Sequence, residues 1–261
     1  MSRVFVLFLL IIPLFGCGKL GEENKSLILN ENRISPAEAD FIAKFKEKVN
    51  APIDNEEGSY PLHIACKNGF GHAVKILLDK GASVNAGERN WPFWSSLHYA
   101  AQQGNIDIVR MLLERGADIN PKGHRNWMPL HLAIVNGHEA IAKLLIEKGA
   151  DLTVGAEYNI TPLHLAADDG YIEIAKLLIS KGANVNAMCW VDGTPLHRAV
   201  AGGHLETAKL LIEHGADVNA RIGPSRDASD APLDWCKSPE IRKLLMANGA
   251  KTAKELNAKG K

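Results

Sequence analysis

A Leu-His pair returns along this chain with near-constant spacing, and that spacing restricts the fold more than any other feature. It occurs at Leu62-His63, Leu97-His98, Leu130-His131, Leu163-His164 and Leu196-His197, so the histidines lie 35, 33, 33 and 33 residues apart. A Gly-Ala pair follows each one, and the interval from His to Gly is 18 residues in all five cases, from Gly81 to Gly215. Self-similarity at this kind of period means stacked copies of one supersecondary unit, each too small to bury its apolar face alone. The 261-residue length and 46% hydrophobic content would suit one or two compact domains, but the period replaces that expectation with an elongated array. Insertions fall only in the stretch before each Leu-His pair, which is therefore a loop that tolerates changes of length.

Each unit reads as two short helices and a finger. In Thr161-Pro162-Leu163-His164-Leu165-Ala166-Ala167 the threonine is expected to cap a helix, and Pro162 sits where its missing N–H costs nothing. The alanines allow a neighbouring helix to approach closely, and Gly170 breaks the helix. A second helix from about Ile172 to Lys181 places Ile172, Ala175, Leu178 and Ile179 on one stripe, and Gly182 ends it in a left-handed turn. Lys80, Arg115, Lys148, Lys181 and His214 each precede a closing glycine, where a cation complements the helix dipole. Asn-Ala pairs such as Asn186-Ala187 then lead into an extended finger.

These units resemble ankyrin repeats, most closely at Thr194-Pro195-Leu196-His197 and Gly215-Ala216-Asp217-Val218-Asn219-Ala220. The resemblance covers about residues 52 to 252. It implies an all-α solenoid of stacked helix-turn-helix pairs with β-hairpin fingers on one edge. The five repeats span 52–86, 87–121, 122–154, 155–187 and 188–220. Departures occur at Tyr60, Ser95-Ser96 and Met128, in the Thr-Pro positions. The ends read as degenerate capping units. Residues 35–51 supply one helix, with Ser35 as N-cap, Pro36 in the first turn, Glu38 expected to close a capping box, and Phe41, Ile42, Phe45 and Val49 on one face. In the C-terminal cap and tail, 221–261, Asp234 stands where the histidine would be. At roughly 10 Å per helix pair, the array is about 60 Å long.

The first sixteen residues read as an export signal, with one basic residue, Arg3, and an apolar run from Val4 to Phe15 that is too short to span a bilayer. Leu14-Phe15-Gly16-Cys17 resembles the lipobox of bacterial lipoproteins, which implies a lipidated Cys17 at the mature N-terminus. Several acyl chains on one residue hold a protein stably at a bilayer. Residues 17–34 then form a tether with a reach of about 25 Å. Gly18 follows the cysteine, so the aspartate associated with inner-membrane retention is absent, and the expected location is the cell envelope with the outer membrane favoured.

No constellation points to catalysis, to a cofactor or to a metal site. Five of the ten histidines are the repeat histidines, each expected to tie a finger to a helix start, and His72, His138 and His204 recur at the start of the second helix. His124 and His214 lack ligand-spaced partners. Asp168-Asp169 is expected to be a solvated turn at the end of a first helix. Cys66 and Cys236 occupy small-residue positions and are expected to be buried, whereas Cys189 falls in a finger and is expected to be exposed. Thirty basic residues balance thirty acidic ones, which argues against nucleic acid as a partner. A repeat stack also offers no deep pocket for a small-molecule substrate.

The aromatic residues are concentrated in the fingers, where Trp91, Trp94, Trp127, Tyr158 and Trp190 fall, with Arg89 and Arg125 beside them. Binding hot spots are enriched in these residue types. These seven residues form the candidate partner-binding set, and packing of the same rings against neighbouring fingers is the competing reading. The expected function is non-catalytic: a membrane-anchored module that binds a protein partner through fingers and concave face. The alternative is a structural spacer or scaffold without a high-affinity client.

Overall fold

The computed structural model describes residues 34–53, 58–88, 92–222 and 231–258. A single helix, α1 (Pro36–Phe45), precedes five helix pairs: α2 (Pro61–Lys67) with α3 (Gly71–Asp79), α4 (Ser96–Gln103) with α5 (Ile106–Glu114), α6 (Pro129–Val135) with α7 (Glu139–Glu147), α8 (Pro162–Asp168) with α9 (Ile172–Ser180), and α10 (Pro195–Gly202) with α11 (Leu205–Glu213). A shortened pair, α12 (Pro232–Trp235) and α13 (Pro239–Ala247), and a last helix, α14 (Ala253–Ala258), follow. First helices pack on first helices and second helices on second, so the stack is two layers deep. None of the described helices is long and apolar enough to cross a membrane.

The core is a set of columns. Ala65, Ala100, Ala133, Ala166 and Ala199 take the same place in successive first helices, and all are fully buried. Leu112, Leu145, Leu178, Leu211 and Leu245 form the matching column of the second layer. Small residues in one layer let adjacent units approach, and branched ones in the other fill the space between layers. In α9 the buried face is Ile174, Ala175 and Leu178, with Ile172 and Ile179 only partly covered. The stripe is therefore shifted from its expected centre, because the helix faces both its own first helix and the next unit.

The repeat histidines join the units. His164 Nδ1 accepts the backbone N–H of Thr161 at 3.1 Å and the Thr161 hydroxyl at 2.8 Å. The ring proton must then lie on Nε2, which donates to the Gly193 carbonyl of the next finger at 3.0 Å. His63 reaches the Ala86 carbonyl in the same way, His98 that of Trp127 and His131 that of Val154. Thr161 is the N-cap of α8 as expected, and its hydroxyl also bonds the histidine ring. Asp234 does the same job with different chemistry. Its carboxylate accepts Ala231 N–H at 3.2 Å and, having no proton to donate, takes an N–H from the next segment, that of Ala253 at 2.8 Å.

Two further ties repeat. His138 Nε2 donates to the Gln102 carbonyl at 2.9 Å and His204 Nε2 to that of Asp168 at 2.8 Å. Each ring lies close against a turn glycine of the preceding unit, Gly104 and Gly170, both in the left-handed region at φ 80° and 70°. Any Cβ there would strike the ring, so glycine is required both for conformation and for contact. At the other edge, Asn50, Asn85, Asn186 and Asn219 each donate to a closing-glycine carbonyl of the next unit and accept a backbone N–H two residues beyond it. Thr153 occupies the equivalent position after the third pair, and its hydroxyl turns back to Asp151 instead. Glu38 departs from expectation similarly. Ser35 caps α1, but the buried Glu38 carboxylate accepts the Ala73 N–H at the start of α3 at 2.9 Å.

Burial lowers the His98, His131 and His164 rings from the ordinary 6.5 to about 4. Since the unfolded chain protonates near 6.5 and the folded one near 4, their contribution to stability is complete above 6.5. It is lost as pH falls toward 4. With three protons taken up on unfolding, urea-derived stability should fall by roughly 4 kcal/mol per pH unit inside that window. A flat profile from pH 7 to 4.5 would rule this account out. A second measurement addresses the asparagine ties: Thr153→Asn should raise stability by about 1 kcal/mol and Asn186→Thr should lower it by a similar amount. Equal urea midpoints for both variants and the parent would show that these ties contribute nothing.

Candidate functional site

The finger edge carries the residues of interest, and its geometry begins with the bonds that shape each finger. Gly87 and Ser95, Ala156 and Ile160, and Cys189 and Gly193 form isolated antiparallel bridges. The expected hairpins are thus single bridges, with no longer ladder among the described residues. The return-limb carbonyls are shared: Gly193 C=O accepts both Cys189 N–H at 2.8 Å and the His164 ring. Trp127 C=O likewise accepts Gly123 N–H at 2.8 Å and the His98 ring. The preceding histidine takes the place a second ladder bond would occupy.

Adjacent fingers are also bonded to one another. His124 N–H donates to the Pro92 carbonyl at 2.9 Å, and Arg125 on the unit 3 finger is ion-paired with Glu157 on the unit 4 finger. Trp190 N–H donates to the Tyr158 carbonyl at 2.9 Å, and Asn159 Nδ2 to the Met188 carbonyl at 2.7 Å. The tips thereby form one continuous edge.

Along that edge the candidate residues separate. Trp94 is buried, 6% exposed, its ring stacked on His98 with centroids 6.0 Å apart and edge-on to Tyr99 at 5.1 Å. This corrects its assignment as a partner-binding residue. Phe93 adopts a left-handed backbone at φ 62°, which turns the following ring inward and leaves Phe93 itself 49% exposed. Trp127 is half-buried and edge-on to His131 at 5.9 Å. Arg125 and Tyr158 both occupy left-handed tip positions, at φ 53° and 61°. Arg125 is exposed and Tyr158 half-exposed. Trp190 is 77% exposed, with Val191 and Met188 exposed beside it. Arg89, Trp91 and Cys17 lie outside the described residues, as do the export signal and most of the tether.

The Trp190 finger is the best braced of those described. Arg198, almost fully buried on α10, forms ion pairs with Asp192 in that finger and with Asp168 at the end of α8, the latter at 3.1 Å. Cys189 Sγ accepts the Asp192 N–H at 3.3 Å, and the cysteine is only 1% exposed. Cys189 was expected to be exposed; the turn folds back over it, so its thiol is inside the finger. Asp168 is likewise engaged by Arg198 rather than simply solvated. Partial desolvation and the Asp168 charge beside it hold the Asp169 carboxyl above its ordinary range. Cys66 and Cys236 are buried, and burial pushes both thiols up, away from the reactive thiolate.

On the unit 2 finger the buried Glu88 carboxylate accepts hydrogen bonds from the Ser59 and Tyr99 hydroxyls, each at 2.7 Å. Among the described residues no group of three or more His, Cys, Asp or Glu side chains is placed to hold a metal ion. Sequence reasoning missed Phe93, Met188, Val191 and Arg198. Apolar residues flanking Trp190 inside a loop were a usable signal for two of them. Arg198 carried a weaker one, as a cation at a position where the other units have Ile64, Tyr99, Leu132 and Leu165.

The family model for ankyrin repeats (3 copies) matches residues 34–123, 121–189 and 154–222. No curated relative matches the chain. Ankyrin repeats typically mediate protein–protein interaction and are generally non-catalytic, and nothing in this chain shows enzymatic activity. The matched stretches run without a break from α1 to the end of the fifth repeat, well over half of the chain, and the protein belongs to the ankyrin-repeat family.

Proposed function

We propose that this protein is a lipid-anchored protein-binding module of the bacterial cell envelope, tethered through Cys17 and engaging its partner with the finger edge around Trp190. The observation that carries the reading is the pairing of exposure with rigidity at that tip. Trp190 is 77% exposed, yet its finger is held by the Arg198–Asp192 ion pair and by hydrogen bonds from the neighbouring finger. A large aromatic presented on a braced backbone leaves less chain to order on binding, which favours a hot-spot role. On the first helices Leu132, Leu165 and Arg198 are buried and not offered to a partner. The second helices present charged faces such as Glu173 and Lys176, which favour solvent. The anchor is supported by the sequence around Leu14-Phe15-Gly16-Cys17.

Two measurements test the two halves separately. A photo-crosslinking residue at position 190 should give one dominant protein adduct in whole cells, and the same residue at position 176 on the opposite layer should give none. Equal, diffuse adducts from both positions would favour a spacer. For the anchor, wild-type protein grown with a clickable fatty acid should carry the label and Cys17→Ser should not. Label retained by Cys17→Ser would remove lipidation at this residue.

A further inference from the structure

Three kinds of bond recur at the junctions of this stack, and two of them fail together at one place. On the second-helix side, the asparagine after each closing turn grips the next closing turn, and a histidine before the second helix bonds the end of the previous unit's first helix. Between the second and third repeats both are present: Asn120 Oδ1 accepts the Asp151 N–H at 2.8 Å, and His138 donates to the Gln102 carbonyl at 2.9 Å. Between the fourth and fifth both are present again, from Asn186 to Gly215 and Asp217 and from His204 to Asp168. Where Asn105 and Ser238 replace the ring and cap their own helices instead, Asn85 and Asn219 still hold the closing turns. Between the third and fourth repeats neither tie is made. Thr153 turns back to Asp151. Tyr171 stands in the histidine position with its hydroxyl over Gly137, 3.0 Å from where a Cβ would lie, and it bonds no carbonyl among the described residues.

The first-helix side of the same junction is intact. His131 donates to the Val154 carbonyl at 3.1 Å, α6 packs on α8 through the alanine column, and Arg125 pairs with Glu157 across the fingers. Bonds that fix register are thus present on one side of the junction and absent on the other. We infer that the stack is two rigid blocks, α1 to α7 and α8 to α13, hinged between the third and fourth repeats and opening on the second-helix side. There α7 meets α9 through the leucine column, and apolar packing tolerates a tilt that a directional bond resists. Splaying the second-helix layer about an intact first-helix layer bends the stack toward its first helices and fingers. The motion therefore swings the Trp190 tip toward the Phe93 tip. It leaves the Trp190 finger itself unchanged, because the bonds described as bracing it lie within the fourth and fifth repeats. The hinge is a property of the junction and stands whether or not the edge binds a partner.

The repeat supplies its own rulers for a test. Lys75, Arg110, Lys143, Lys176, Lys209 and Lys243 take the same place in successive second helices, so positions two units apart are separated by about 20 Å. A ketone-bearing amino acid at both positions of a pair, each carrying a nitroxide, allows distances to be read by double electron–electron resonance in the full-length chain in detergent. The pairs Arg110/Lys176 and Lys143/Lys209 span the junction between the third and fourth repeats, whereas Lys75/Lys143 and Lys176/Lys243 do not. The first two should give distributions about twice as broad as the second two, with the added weight at longer distances. Thr153→Asn combined with Tyr171→His supplies both ties and should narrow the first two to the width of the second two, which should not change. Thr153→Asn alone leaves the Tyr171 packing untouched and should narrow them in part. Equal widths at all four pairs in the parent overturn the inference, and so does a breadth that persists in both variants while either melts at or above the parent temperature. Position 190 takes no part in this readout, so its outcome is independent of the crosslinking result.

Discussion

Everything in this stack depends on a neutral, buried imidazole that accepts on one nitrogen and donates on the other. A unit of about 33 residues cannot bury its own apolar face, and its helices are too short to persist alone. It needs a directional bond across each junction to fix register, because apolar contact by itself is indifferent to a slide. The repeat histidine supplies that bond. Nδ1 holds the free N–H before the first helix, and Nε2–H holds a carbonyl of the next finger. Helix start and finger position are therefore set by one ring. The substitution of Asp234 at the last junction shows how strict the logic is: an acceptor-only side chain is tolerated where the following segment offers an N–H instead of a C=O.

A second consequence concerns where the stack is stiff. Four junctions among the described residues have the histidine bond near the fingers, and Asn50, Asn85, Asn120, Asn186 and Asn219 grip the next closing turn from the other side of the unit. Two ties on opposite edges resist both twist and splay, whereas one allows hinging. Thr153 leaves the junction between the third and fourth units with the histidine alone on this count. At this junction the Arg125–Glu157 pair joins the two fingers. Exposed pairs contribute little individually, so this pair does not replace the missing asparagine tie.

Much of this was legible in the sequence because it is periodic. Repeating positions reveal their role by recurring, so the helix pairs, the alanine and leucine columns and the histidine ties could be placed from spacing. The fingers are the opposite case. There the period is interrupted, and one residue of backbone rotation decides which of two adjacent aromatics faces water. The left-handed Phe93 sends Trp94 inward, and nothing in the composition of that loop announces a positive φ at a phenylalanine. Cys189 was misplaced for the same reason, since a tight turn buries the residue at its base while a longer hairpin would have exposed it. Glu38 was misplaced because its partner, Ala73, lies 35 residues away.

The backbone of the tips supplies its own argument about what this edge is for. Turns with two successive left-handed residues strongly prefer Asn-Gly or Gly-Gly. Here the first of the two positions holds Arg125 or Tyr158, with Asn126 or Asn159 second, and Phe93 takes a similar backbone on its own finger. A residue other than glycine or asparagine in that region costs roughly 1 to 2 kcal/mol. Three such costs on one edge would be removed by glycines at no loss to the core, because none of these side chains contributes to the alanine and leucine columns. The side chains therefore have value where they are presented, and two of the three are large aromatics held at a surface. Backbone strain accepted in order to display specific groups fits the binding role proposed for this edge. The second helices close on glycines, among them Gly81, Gly116, Gly149, Gly182, Gly215 and Gly249, and carry no such strain at those turns.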